Sequence, residues 1–292
     1  MFFFFLFFCN KEENEYAEED IDVYSEQLAF DDLDFLGSVV PFVISEGEDG
    51  AHIGFIQSAR SFYLDPGLEE YTRYMEMLKN AKEYDIPFNV YVFKETNDIA
   101  QVKYTSLEEI DAYNASKIPP LELKSATYES IVPSEAVLQT IINHIKNSGI
   151  NFSYIGDGCY YRAHAMRRIF NEYGYECKKF FMYGTLAASN GSCCAHWVYH
   201  VAPYVSYRRS NGGTNPVIID PSLFPDNPIS TENTWLAACR NTTCSKNVVT
   251  TLVQVTPGEV YYASPDGSYQ YDPDYIKTDA TWAMYAGRSG CN

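Results

Sequence analysis

Cys159 closes the tripeptide Asp157-Gly158-Cys159 and opens a run, Tyr160 to Tyr173, whose pattern predicts a helix ended by Gly174. A cysteine in the first turn of a helix faces the positive end of the backbone dipole, which stabilises a thiolate and makes a nucleophile. The competing use of such a residue in an exported protein is half of a disulfide, or a small packed side chain. A thiolate that cleaves amides also needs a base that returns a proton to the leaving nitrogen, normally a histidine steered by a third group. Of five histidines, His52 and His144 lie outside this segment, and His164, five residues along the same helix, is off the face of Cys159 and reads as surface or core edge. His196 and His200 remain. They are four apart in a run of strand-like alternation, which puts both on one face. Asp220 ends the apolar strand Val217-Ile218-Ile219, and the turn Asn211-Gly212-Gly213 folds that strand back along the first. A carboxylate there is placed to accept the Nδ1 proton of a histidine and fix its tautomer. Hairpin register is open by a few residues, so the pattern favours His200 over His196 without deciding between them.

These residues need a scaffold, and the sequence offers two units. Ser134 caps a helix to Ser148, with Val137, Leu138, Ile141, Ile142 and Ile145 on one face; the helix from Cys159 follows. Strands are expected at Lys178–Tyr183, Trp197–Tyr207 and Val217–Asp220, and Ser230 or Thr231 caps a helix reaching Cys239. Ahead of this lies a cysteine-free unit over residues 36–118. It has strands at Ser38–Ile44, Ala51–Ile56, Ile86–Phe93 and Ala100–Tyr104, a helix over Leu68–Tyr84 and a short one over Leu107–Tyr113. Ile118-Pro119-Pro120 opens a stiff, protease-accessible junction over residues 119–130. The expected fold class is α+β, an antiparallel sheet with a cysteine-bearing helix over residues 131–292, preceded by a small α+β domain.

The chain has 292 residues and a net charge of −18, which excludes a nucleic-acid partner because a phosphate backbone needs a basic surface. Fourteen carboxylates against one base, Lys11, between Asn10 and Asp49 make residues 10–35 an acidic tether. The Phe-rich residues 1–9 read as the core of an export signal, too short to span a bilayer, and Cys9 at its end is a candidate lipid anchor. The expected location is therefore secreted or cell-surface. The other seven cysteines all lie from Cys159 to Cys291; six paired in an oxidising compartment leave one thiol free. Cys239–Cys244 is the expected local bridge, with two more drawn from Cys177, Cys193, Cys194 and Cys291. Cys193-Cys194 lacks partner spacing for a metal, and Asp266-Gly267 and Asp272-Pro273-Asp274 read as turns, so neither metal nor cofactor is expected.

Asp157-Gly158-Cys159-Tyr160 with Arg162-Ala163-His164, Cys193-Cys194, Trp197, Tyr199-His200-Val201, Ile219-Asp220-Pro221-Ser222-Leu223-Phe224, Tyr261-Tyr262 and Ser264-Pro265 resemble bacterial protein-glutaminases, in order and spacing, from about Tyr128 to Cys291. The resemblance implies a papain- and transglutaminase-like fold, deamidation of protein-bound glutamine, and a triad on Cys159, His200 and Asp220. It also implies an N-terminal pro-domain that inhibits the enzyme in cis and is removed by a processing protease. Two departures are His196, on the face of His200, and Pro203, which suggests an edge or bulge in its strand. The residues alone leave a papain-like protease, a transglutaminase and a non-catalytic surface lipoprotein as alternatives. Proteins or peptides with exposed glutamine are the expected substrates.

Overall fold

The computed structural model describes residues 32–94, 96–120 and 128–291; the signal-like segment, Cys9 and the acidic tether as far as residue 31 lie outside them. The first strand, β1 (Leu33–Val39), takes in the end of the expected tether, because Leu33 is buried. The run expected as one strand over Ser38–Ile44 is instead two, β1 and β2 (Pro41–Gly47). They belong to different sheets, and the physical reason is Pro41: it has no N–H to carry a ladder onward, so the chain changes sheets there. β2 pairs with β3 (Gly50–Phe55) and β3 with β4 (Ser61–Leu64); β1 pairs with β5 (Phe88–Phe93) and β5 with β6 (Ile99–Tyr104), all antiparallel. Helix α1 (Tyr71–Tyr84) buries Met75, Leu78 and Ala81. It starts three residues later than periodicity suggests, because the chain ahead of it turns, with Leu68 N–H donating to the Asp65 carbonyl and Tyr71 N–H to the Leu68 carbonyl. Helix α2 (Leu107–Ala115) begins at a reciprocal cap: the Glu109 N–H donates to Ser106 Oγ, and Glu109 Oε2 accepts from the Ser106 N–H. One apolar core, from Val39 to Val102, belongs to these elements alone.

The second core is larger and carries the site. Ser134 caps α3 (Glu135–Lys146), whose Leu138, Ile141, Ile142 and Ile145 are buried, and α4 (Cys159–Glu172) is buried on almost every face. A helix buried all round needs cover on both sides. Part of that cover is a five-stranded antiparallel sheet, in the order β10-β9-β8-β7-β11, formed by β7 (Lys178–Ser189), β8 (Cys194–Arg208), β9 (Thr214–Ile219), β10 (Ile229–Ser230) and β11 (Val249–Thr256). Helix α5 (Glu232–Ala238), capped by Thr231, lies between β10 and β11 in sequence; the pair β12 (Val260–Ala263) and β13 (Tyr269–Tyr271) and helix α6 (Ile276–Tyr285) complete the unit. α6 packs on α4, and Asp272, read above as a turn residue, caps it by accepting from Lys277 N–H and Thr278 N–H. Pro203 is neither at an edge nor in a bulge: β8 is the central strand, and pairing to β9 begins at the next residue, Tyr204. Ladder pairing with β9 is therefore not required of Pro203.

Two bridges, Cys193–Cys291 and Cys194–Cys244, tie the start of β8 to the chain end and to the segment after α5. They close 98 and 50 residues, so on loop entropy each is worth about 4–5 kcal/mol. The expected Cys239–Cys244 bridge does not form, because Cys239 ends α5 facing the core while Cys244 meets Cys194. Cys177 and Cys239 are buried thiols alongside Cys159, so among the described residues three thiols are free, not one. Among the described residues no helix is long and apolar enough to cross a membrane, and no three His, Cys, Asp or Glu side chains cluster to hold a metal ion.

Candidate active site

Helix α4 starts at Cys159 because Gly158 turns the chain into it at φ 77°, a left-handed conformation that favours glycine. A Cβ at Gly158 would meet the Tyr161 ring at 2.6 Å, so space as well as backbone demands glycine. Cys159 is 2% exposed. Burial pushes its thiol pKa up to about 12, against the pull of the Arg162 charge and of a hydrogen bond from the Val201 backbone N–H; Asp157 and Asp220 add to the rise. Arg162 is itself buried, its Nη1 donating to the carbonyls of Tyr154 and Asp157 at 2.8 and 2.9 Å. It thus sets a fixed positive charge beneath the first turn.

His200 lies on β8, one residue before the N–H that reaches the sulfur. Its Nε2 is 2.8 Å from Asp220 Oδ2, and both side chains are buried. The nitrogen that meets Asp220 is Nε2, where the sequence reading expected Nδ1; the ring is turned so that Nδ1 is the buried atom without a hydrogen-bond partner. Nδ1 is therefore the ring atom available to a thiol. Two indoles hold the imidazole flat, Trp197 at 4.3 Å and 9° and Trp235 at 5.1 Å and 15° between rings. Trp235 Nε1 also donates to Asp220 Oδ2 at 2.8 Å, and Ser222 N–H and Leu223 N–H donate to Oδ1. Burial alone would raise the Asp220 pKa; the His200 charge and the hydrogen bonds from His200 and Trp235 outweigh it and hold the carboxyl below the ordinary range.

A turn from the N-terminal half, Ile56 to Arg60 between β3 and β4, sits against these elements. Ala59 N–H donates to Asp157 Oδ1 at 3.0 Å, and the Ala59 carbonyl accepts from Val198 N–H at 2.8 Å. Ala59 is thereby clamped between the residue two before Cys159 and the residue two before His200, and its side chain is fully buried. Arg60 bridges antiparallel to Trp197, Ser58 Oγ donates to Asp157 Oδ2 at 2.6 Å, and Tyr199 OH donates to the Ile56 carbonyl. Ile56 and Ala59 are the N-terminal residues buried in the larger core.

The fold brings His200 and Asp220 together, and sets Cys159 beside Val201 on the neighbouring helix end. His196 is exposed at the start of β8. His164, read as surface or core edge, is fully buried: its Nε2 meets the Asp272 carbonyl at 3.1 Å and its Nδ1 the amine of Lys179 at 2.6 Å. Tyr160 and Tyr199 are buried, and Trp197 stacks on His200. Sequence reasoning missed Trp235, whose one signal is its place in a capped helix soon after Asp220. It also missed the turn at Ala59, which nothing in its residue types distinguishes.

Residues 134–239 match the sequence model of a family described as glutaminase. The crystal structure of a pro-protein-glutaminase is similar at 35% identity and a TM-score of 0.80, over 89% of this chain and 95% of that one. A crystal structure of protein-glutaminase is 42% identical with a TM-score of 0.54, over 56% of this chain and 93% of that one. The NMR structure of protein-glutaminase from Chryseobacterium proteolyticum is 43% identical with a TM-score of 0.52, over the same shares, 56% and 93%. No curated protein matches the chain. Identity of 35% across 89% of the chain, with the shared fold, is decisive: the chain belongs to the protein-glutaminase family.

Proposed function

We propose that the chain deamidates the side chains of protein-bound glutamine, and that it is made as an inhibited precursor. The carrying observation is the buried His200–Asp220 pair at 2.8 Å, set beside a helix-start cysteine in a chain 35% identical to a pro-protein-glutaminase. In the proposed cycle the Cys159 thiol gives its proton to His200 Nδ1 and the sulfur bonds to Cδ of the carboxamide. The oxyanion that forms is held by the Cys159 backbone N–H at the helix start. The C–N bond then breaks as His200 returns the proton, and ammonia leaves a γ-thioester. His200 next takes a proton from water, hydroxide adds to the thioester carbon, and glutamate departs with the thiol restored. Asp220 keeps the ring oriented and stabilises its charged form.

Residues 36–118 act as the pro-region in this reading, and the turn Ile56–Arg60 is the inhibitory segment. Its Ala59 takes the place of the target residue, held by its N–H and carbonyl as a substrate chain would be. Neither Ser38–Ile44 nor Ile86–Phe93 makes these contacts. A processing protease cuts between Ala115 and Pro133, a stretch that includes residues 121–127 outside the described ones. Two disulfides suit an oxidising, extracellular setting. The test is to incubate the processed protein with a casein-like substrate. Ammonia without peptide cleavage or cross-links supports deamidation; cleavage would make it a protease, and cross-links a transglutaminase. Equal activity of the uncut chain would remove the inhibitory role.

A further inference from the structure

Asp157 is a buried carboxylate with four hydrogen-bond donors and one ion-paired guanidinium around it. Oδ1 accepts from Gly158 N–H at 2.7 Å and Ala59 N–H at 3.0 Å; Oδ2 accepts from Ser58 Oγ at 2.6 Å and Tyr285 OH at 3.0 Å, and Arg60 Nε lies 3.4 Å from it. Ser58, Ala59 and Arg60 are consecutive and belong to the turn. When the turn leaves, the carboxylate keeps only Gly158 and Tyr285, and a buried anion stripped of donors is strongly unfavourable until water or a new donor arrives. Whatever peptide enters the same cleft meets an anion that takes two hydrogen-bond donors and then a cation in a row. The backbone course is set too, because Val198 N–H takes the carbonyl of the central residue and the next residue bridges to Trp197.

We infer that Asp157 determines substrate specificity by reading three consecutive positions: a hydroxyl side chain before the target glutamine, the backbone N–H of that glutamine, and an arginine or lysine after it. This rests on the reading of Ile56–Arg60 as a substrate mimic. The favoured substrate class is glutamine in extended, basic segments carrying serine or threonine, and carboxylates on either flank are disfavoured because they face Asp157 in a site shielded from water. Charge-assisted hydrogen bonds are about twice as strong as neutral ones, so the flanking donors together are worth roughly tenfold or more in kcat/KM.

The experiment measures ammonia release by the processed enzyme from peptides alike except around the target: Ser-Gln-Arg, Ser-Gln-citrulline, Ala-Gln-Ala and Asp-Gln-Glu. The expected order of kcat/KM is Ser-Gln-Arg highest, the citrulline peptide reduced several-fold, and Asp-Gln-Glu lowest. In Asp157→Asn the first and last converge. Equal values for all four in the wild type, or an unchanged order in Asp157→Asn, overturn the inference. Should that variant not fold, the citrulline peptide decides, since full retention of the advantage without the charge also overturns it. Ammonia from none of the peptides would instead sink the deamidase reading itself.

Discussion

His200 is constrained on three sides, by a carboxylate at Nε2 and an indole on each face, which leaves Nδ1 as its ring nitrogen without a hydrogen-bond partner. Trp235 serves twice, stacking on the ring and donating to Asp220 Oδ2. Trp235→Phe keeps an aromatic face but leaves Asp220 Oδ2 with His200 Nε2 as its remaining partner, and losing one hydrogen bond to a buried carboxylate costs about 1.5–3 kcal/mol. Steady-state kinetics should show kcat reduced roughly tenfold or more with KM little changed; an unchanged kcat would deny Trp235 a positioning role. Burial under the turn has a separate consequence at Cys159, whose thiol is pushed up to about 12 and so stays protonated at neutral pH. The uncut chain should therefore resist iodoacetamide at pH 8, while the processed enzyme, its cleft open to water and Arg162 beneath, should alkylate at Cys159 at least ~100-fold faster. Equal rates would mean that the turn does not control the thiol.

Helix α4 and strand β7 meet through a basic contact, His164 against Lys179, inside the core. Burial first, and then each one's cationic neighbours (Lys179 and Arg167 for His164, Arg167 for Lys179), lower both pKa values well below the ordinary ones. A histidine lowered in the folded state is protonated first in the unfolded chain, whose pKa is about 6.5. Stability is thus lost as pH falls below about 6.5. The melting temperature of the processed enzyme should drop from pH 6.5 to 5, and His164→Asn, though less stable throughout, should flatten that slope; the same slope in both would contradict the assignment. This contact also marks where sequence reading stops. The α4 start, the Ser134 cap, the β8–β9 hairpin and Asp220 at its end were legible because periodicity, caps and turn residues are local signals. A lysine in a strand reads as solvent-facing, and only the packing of β7 against α4 and β12 buries Lys179. Pairing of Cys194 with Cys244 likewise depends on where α5 docks, which spacing does not encode. Which ring nitrogen of His200 meets Asp220 escaped too, since alternation fixes a face and not the rotation of a ring about it.

At the scale of the molecule, the charge divides the chain where the proposed inhibitory region ends. Residues 131–292 hold twelve Lys and Arg against twelve Asp and Glu, so the whole net charge of −18 belongs to residues 1–130. Removal of the N-terminal part should shift the isoelectric point from about 4.6 to near neutrality, and a band that stays acidic after cleavage would mean that the pro-region remains bound. The proposed inhibition requires a side chain small enough for the cleft: Ala59 is fully buried, so Ala59→Arg should expel the turn and give ammonia release before any cut. Silence of that variant while uncut, with normal activity once processed, would move the inhibitory contact elsewhere in the pro-region. The central claim is that Cys159 forms the acyl-enzyme with His200 as its base. Rapid acid quenching of the processed enzyme with a glutamine peptide, read by intact mass and peptide mapping, should find the peptide less one ammonia on Cys159. His200→Ala should not form this adduct, and His196→Ala should. Ammonia release by Cys159→Ala, or an adduct lost in His196→Ala but kept in His200→Ala, would contradict it.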